Sequence, residues 1–226
     1  MIFPLASLDE VPAAAPPAAL VSAAAWARVR PMARALPEAA HCACFECRLG
    51  ADEERVDLLV CVLDGDGGGE VLASGPPAEE AAARAALPVT PAWQRVFEFC
   101  REWTRPGTLL HEEVPFVWLE FDLPPGAAAP PEPFLFFCVQ RYFRSDPLRL
   151  FAPTTQAAGA TATYRQVLGR ALAILLGRPL APATERMLLA CAGELPRGGH
   201  VLHVAPLAVR GQGHEDLVRV VLTLPI

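Results

Sequence analysis

The densest group of reactive side chains in the chain is His41-Cys42-Ala43-Cys44-Phe45-Glu46-Cys47. Thiolates and an imidazole suit zinc or copper(I). The spacing works against such a centre. On a strand, Cys42 and Cys44 fall on one face while His41 and Cys47 fall on the other. No second C-x-x-C completes a set of four ligands. His41, Cys42, Cys44 and Cys47 are therefore the metal candidates, set against the simpler reading that they are small apolar residues of a buried strand. The sequence gives no reason to expect a bound metal or cofactor.

A second group lies in Trp118-Leu119-Glu120-Phe121-Asp122. Strand alternation puts Val117, Leu119, Phe121 and Leu123 on one face and Phe116, Trp118, Glu120 and Asp122 on the other. If the first set faces the helices, the second lies on the open face of the sheet. There an aromatic ring beside two carboxylates suits a cationic or sugar-like ligand, or acid/base catalysis. The competing reading is an ordinary solvated sheet face. His200, His203 and His214 gather near the C-terminus, where His203 and Arg219 are expected on neighbouring strands. Glu120, Asp122 and His203 are the catalytic candidates, and Trp118, Glu120 and Arg219 the binding candidates.

The segment from Leu58 to Gly69 (LLVCVLDGDGGG) mimics the strand-plus-glycines signature of nucleotide binding. That chemistry needs the glycines to lead into a helix N-terminus facing the ligand. Glu70 to Ala73, followed by Gly75-Pro76-Pro77, reads instead as a short strand and a break, so a simple turn accounts for the glycines. Asp64 and Asp66 offer oxygen ligands for calcium, but the terminal Glu of an EF-hand loop is missing. No G-x-S-x-G elbow, H-E-x-x-H, P-loop or kinase motif is present.

The elements that must position these residues follow from periodicity. Strands are expected at His41 to Leu49 and Arg55 to Leu63, with Val56, Leu58, Val60 and Val62 on one face. Thr90-Pro91 is a helix start, and Trp93, Val96, Phe97, Cys100 and Trp103 recur at helical spacing until Pro106-Gly107. Strands follow at Val114 to Leu123 and Phe134 to Tyr142. A helix is expected over Thr161 to Leu176, its apolar face formed by Tyr164, Val167, Leu168, Ala171, Leu172 and Leu175. Another spans Ala183 to Leu195, with Met187, Leu188, Cys191 and Leu195 inward. Val201 to Val209 and Leu217 to Leu224 form the last hairpin. A further helix runs from Ser22 to about Arg30.

This order predicts an α+β protein: a mostly antiparallel sheet of hairpins separated by helices that pack on one face. Loops at equivalent places in three hairpins suggest a ββα pseudo-repeat, although the residues themselves do not match. Residues 1 to 20, rich in Ala and Pro, read as a loose leader, and residues 21 to 226 as a single domain.

Composition narrows the class. Hydrophobic residues make up 53% of the 226 residues, enough for a core and against global disorder. The net charge is -6, and the 19 basic residues, all Arg, are scattered, which argues against nucleic acid as partner. The absence of Lys and Asn points to a GC-rich bacterial genome. No apolar run is long enough to span a membrane; Ala171 to Gly177 is bracketed by Arg170 and Arg178. The first ten residues lack a basic region and do not read as an export signal, and an odd count of seven Cys opposes a disulfide framework. A cytoplasmic location is expected.

Without a catalytic motif, the leading expectation is a non-catalytic binding, accessory or assembly protein of a bacterial complex or biosynthetic pathway. It would engage a protein partner, or another copy of itself, through the face around Trp118 and Glu120 or through the edge strand at 217 to 224. The alternative is a small-molecule enzyme using the carboxylates and His203 on the open sheet face.

Overall fold

A computed structural model describes residues 2–4, 24, 27, 41–47, 56–63, 65, 67–73, 90–123, 133–138, 160–193, 200–206 and 218–223. The chain divides into two compact units, each drawn from two stretches of sequence. The first comprises Met1–Arg101 and Trp118–Phe134, the second Glu102–Val117 and Leu135–Ile226.

In the first unit, strands β1 (Ile2–Pro4), β2 (Cys42–Cys47) and β3 (Val56–Leu63) form an antiparallel ladder, and β4 (Phe116–Leu123) is the next neighbour of β3. Ile2 pairs with Cys44 and Pro4 with Cys42, so the start of the expected leader serves as a strand. The three residues satisfy backbone groups along the outer edge of β2, which the Ala/Pro composition of the leader concealed. The β2–β3 register runs unbroken from Cys42–Cys61 to Cys47–Val56. Leu58, Val60 and Val62 are fully buried, as the alternation predicts.

After β3 the chain turns through Gly67, whose φ of +78° is cheap only for glycine. It then enters helix α1 (Gly68–Ala73), where a strand was expected. The amide of Val71 donates to the carbonyl of Gly67, and Leu72 is fully buried as α1 packs on β3. Burial of one apolar side chain and a nearby sheet outweigh the poor helix propensity of two glycines. Gly67 makes the turn, while Gly68 and Gly69 open the helix, so the glycines lead into a helix and not into the strand that the turn reading assumed.

Helix α2 (Pro91–Trp103) begins as its sequence demands. The Thr90 hydroxyl accepts from the amide of Trp93, and the Gln94 amide donates to the Thr90 carbonyl. Trp93, Val96, Phe97, Cys100 and Trp103 are all buried. The Trp93 ring meets those of Phe97 and Phe121 with centroids 5.6 and 5.7 Å apart, both tilted, which fixes one face of β4 against the helix.

The second unit begins at the end of α2. The short helix α3 (Leu109–Glu113) is capped by Thr108, whose hydroxyl accepts from the His111 amide. Strand β5 (Pro133–Phe137) contributes its last three residues to this unit and is followed in the sheet by β6 (His200–Pro206) and β7 (Val218–Thr223), all antiparallel. The β6–β7 ladder carries a register shift between Val201 and His203. Helix α4 (Ala160–Leu176) buries Val167, Leu168, Ala171, Leu172 and Leu175, and packs against α3, β6 and helix α5 (Pro182–Gly193). It ends at Gly177, with φ +70°.

On α5 the expectation holds for Leu188, which is buried, and fails for Met187, which is 54% exposed. Adjacent helical positions lie about 100° apart. A helix held along one narrow line buries one of the two and not both.

The expected helix over residues 22 to 30 is described at residues 24 and 27, both helical. Tyr142, His214, Leu195, Asp64 and Asp66 lie outside the described residues. Among the described residues, no helix is long and apolar enough to cross a membrane.

Candidate functional site

Strand β4 is buried at every position from Phe116 to Phe121, and this overturns one expectation. Val117, Leu119 and Phe121 are fully buried, as predicted. On the other face, Phe116 is also fully buried, Trp118 is 5% exposed and Glu120 is 3% exposed. The expected open face does not exist at these positions, because alternation identifies the residues that share a face but not whether that face is covered. Trp118 and Glu120 are interior groups. Asp122 lies on the same strand, and its side chain is outside the description.

Glu120 has a counterpart that the sequence reading passed over. Asp57, on the neighbouring strand β3, is only 7% exposed. Among the described residues these two carboxylates are the buried charged groups. Burying a carboxylate costs several kcal/mol unless it is paired or hydrogen-bonded. Both residues carry interactions within the structure. The signal for Asp57 was present in the sequence: a lone acid inside Val-Asp-Leu-Leu-Val-Cys-Val-Leu. An acid in a strand otherwise fit for burial on both faces must be buried with its neighbours.

In the same unit, Trp93 is 2% exposed, and its indole Nε1 is buried with no hydrogen-bond partner among the described residues. A buried, unmet N–H costs about 1–3 kcal/mol.

The cysteine-rich segment is placed as a strand should place it. Cys42 and Cys44 share one face of β2 and Cys47 occupies the other. His41 stands just before the strand, half-buried, with its backbone amide donating to the Cys61 carbonyl at 2.8 Å. Among the described residues, no three His, Cys, Asp or Glu side chains assemble into a metal-binding group. Cys61, Cys100 and Cys138 are buried thiols. Burial pushes the thiols of Cys100 and Cys138 far above their ordinary value of 9.0, so both are inert as nucleophiles at neutral pH.

In the second unit the register brings His203 and Arg219 to one face of the β6–β7 ladder. His203 pairs with Val221, and Arg219, two residues away on β7, pairs with Ala205. The expectation that these two residues sit on neighbouring strands is met. Glu120 and Asp122 belong to the first unit and His203 to the second, so the proposed catalytic trio is not gathered within either unit. Comparison with family models, curated proteins and solved structures yields no match to this chain.

Proposed function

We propose that the chain is a non-catalytic accessory or assembly protein of a bacterial complex or biosynthetic pathway, and that it binds through the outer edge of β7. The observation that supports this reading is the strand order. Within the ladder β5-β6-β7, the last strand has β6 on one side and no described strand on the other. Its sequence, Val-Arg-Val-Val-Leu-Thr, is rich in β-branched residues and free of Pro and Gly. An edge of this kind is a template for an added strand, and natural proteins usually blunt such edges when they are not used. Interior placement of Trp118 and Glu120 shifts the binding surface away from β4 and onto this edge.

In this reading the occupant is the β7 strand of a second copy, paired antiparallel across a two-fold axis. Nucleic acid is not the partner, given the net charge of -6. The buried thiols Cys100 and Cys138 fit a reducing compartment, and we place the protein in the cytoplasm on that ground.

The test is the mass of the full chain by light scattering after gel filtration, for the wild type and for Val220→Pro and Val221→Pro. Successive residues of an antiparallel strand direct their N–H groups alternately inward and outward. One of the two substitutions therefore removes an outward donor while sparing the β6 ladder. A dimer that this variant converts to a monomer with unchanged circular dichroism supports the reading. A wild-type monomer at all concentrations sinks it.

A second reading, a small-molecule enzyme, draws on one observation, the burial of Glu120 and Asp57 in an otherwise apolar strand environment. A carboxylate kept in an apolar interior is costly unless it is paired or hydrogen-bonded, so its retention there invites a functional reading. It requires Glu120→Gln to abolish turnover of a substrate that the wild type consumes, while leaving the fold intact.

A further inference from the structure

The register of β2 on β3 sets two cysteines opposite one another. Cys42 pairs with Cys61, and the ladder continues through Ala43–Val60 and Cys44–Leu59 without a shift. Opposed residues of an antiparallel pair share a face, and their Cα atoms lie about 4.5 or 5.5 Å apart, according to whether the pair is hydrogen-bonded. Both separations fall within the span of roughly 4.4–6.8 Å that a disulfide bridges. The other cysteines of β2 do not compete. Cys47 pairs with Val56 and lies on the opposite face. Cys44 is opposite Leu59. Two residues along one strand have parallel Cβ bonds, so the Cβ atoms of Cys42 and Cys44 stay about 6.6 Å apart, beyond the roughly 3.5–4.5 Å that a disulfide needs.

We propose that Cys42 and Cys61 form a redox-active pair that closes into a cross-strand disulfide by exchange with a low-molecular-weight disulfide of the glutathione type. Cys61 is fully buried, so exchange follows a local opening of the β2–β3 ladder, in which Cys42 is assigned the first step. The Cys42 thiolate attacks one sulfur of oxidised glutathione, forming a mixed disulfide and expelling the other glutathione as a thiolate. Cys61 then loses its proton and attacks the Cys42 sulfur. The Cys42–Cys61 bond forms and the second glutathione leaves. Two protein thiols are oxidised by two electrons, one glutathione disulfide is reduced to two thiols, and the two protein thiol protons end on glutathione. The closed bond ties β2 to β3 and restricts the unfolded chain between them.

The experiment equilibrates the full chain with a series of reduced-to-oxidised glutathione ratios, alkylates the remaining thiols, digests the protein and maps cross-linked peptides by mass spectrometry. The expected result is a peptide pair joining Cys42 to Cys61, lighter by two hydrogen atoms, whose fraction rises with the oxidised ratio. The oxidised protein should melt at a higher temperature than the reduced one, and that shift should vanish in Cys42→Ser. Cys44→Ser should retain both the link and the shift. Cys42 joined to Cys44 or Cys47, an unlinked pair at every ratio, or loss of the link in Cys44→Ser would overturn the proposal. So would stoichiometric zinc in the reduced protein that protects Cys42 and Cys61 from oxidation, because the two would then be metal ligands.

Discussion

Helix α2 carries two buried tryptophans, one in each compact unit, and they are held in opposite ways. Trp103, fully buried, donates its indole N–H to the Val114 carbonyl at 2.6 Å. Around it, the Trp103 carbonyl accepts from Nδ1 of His111 at 3.1 Å, and the Thr108 hydroxyl lies 2.7 Å from the Glu102 carbonyl. The Arg170 guanidinium grips the Glu102 carboxylate, with Nε 2.7 Å from Oε1. Trp93, ten residues earlier, meets the rings of Phe97 and Phe121, and its N–H has no partner among the described residues. The first ring is a polar anchor for the α2–α3 corner, and the second is held, among the described residues, by shape and apolar contact. The difference shows that burial of a tryptophan does not reveal what its nitrogen contributes.

Replacing each ring by phenylalanine breaks this comparison open, with the largest effect expected at the anchor. Trp103→Phe removes the donor to Val114 and leaves a buried carbonyl unmet, on top of the lost ring volume. Trp93→Phe removes an N–H that has no partner among the described residues. Urea denaturation should show Trp103→Phe to be less stable than Trp93→Phe by about 2 kcal/mol, the cost of one buried unmet polar group. Equal losses would mean that the Trp103 hydrogen bond contributes nothing beyond packing.

The next effect is expected to be common to both units. Cys100 in the first and Cys138 in the second are fully buried, and burial holds each thiol protonated well above its ordinary pKa of 9.0. In the unfolded chain the same thiols ionise near that value. A group whose pKa is raised by folding stabilises the fold below its unfolded pKa and loses that contribution as pH rises. Stability should therefore decline above pH 9.0, by roughly 1.4 kcal/mol per pH unit for each thiol. Denaturant midpoints from pH 8 to pH 10 in Cys100→Ala and Cys138→Ala should each show a shallower decline than the wild type. An unchanged slope in either variant would remove that thiol from the account.

Capping sharpens the same contrast on a smaller scale. Thr108 is tied into the corner by three contacts, since its hydroxyl also lies 2.9 Å from the Arg105 carbonyl and 3.3 Å from the His111 amide. Thr90 caps α2 through one longer contact, 3.4 Å from the Trp93 amide. Thr108→Ala should cost about 1 kcal/mol, the usual loss for a removed cap, and Thr90→Ala less. Thermal unfolding of the two variants side by side decides the order.

How far the sequence anticipated this structure depends on the type of signal. The apolar faces of α2 and α4 follow from a 3.6-residue period repeated over three or more turns, and all the described positions on those faces are buried. The hairpins at β2–β3 and β6–β7 follow from alternation bounded by turn residues. Three features needed information that the local pattern does not hold. Helix α1 depends on contact with β3, which its glycines obscure. Interior placement of Glu120 depends on what covers the second face of β4. The opposition of Cys42 and Cys61 depends on register, and a slip of one residue would have put Val60 or Val62 there. The candidate residues were thus identified by type, while their burial and pairing belong to the tertiary structure.

The smallest predicted effect lies on the surface of the second unit, between α4 and α5. Arg165 Nε is 2.8 Å from Glu185 Oε1, and its Nη2 is 3.2 Å from Oε2, so the pair is bidentate. The hydrogen bond to Arg165 lowers the pKa of Glu185. A carboxylate depressed by folding stabilises the native state above its unfolded pKa and loses that contribution as pH falls through the folded value. Glu185→Gln should therefore flatten the acid limb of the stability profile slightly and leave the neutral region nearly unchanged. Both groups are solvated, so raising the salt concentration should shrink the difference between wild type and variant. A salt-independent loss at neutral pH would instead identify Glu185 as a packing residue that joins the two helices through its apolar stem.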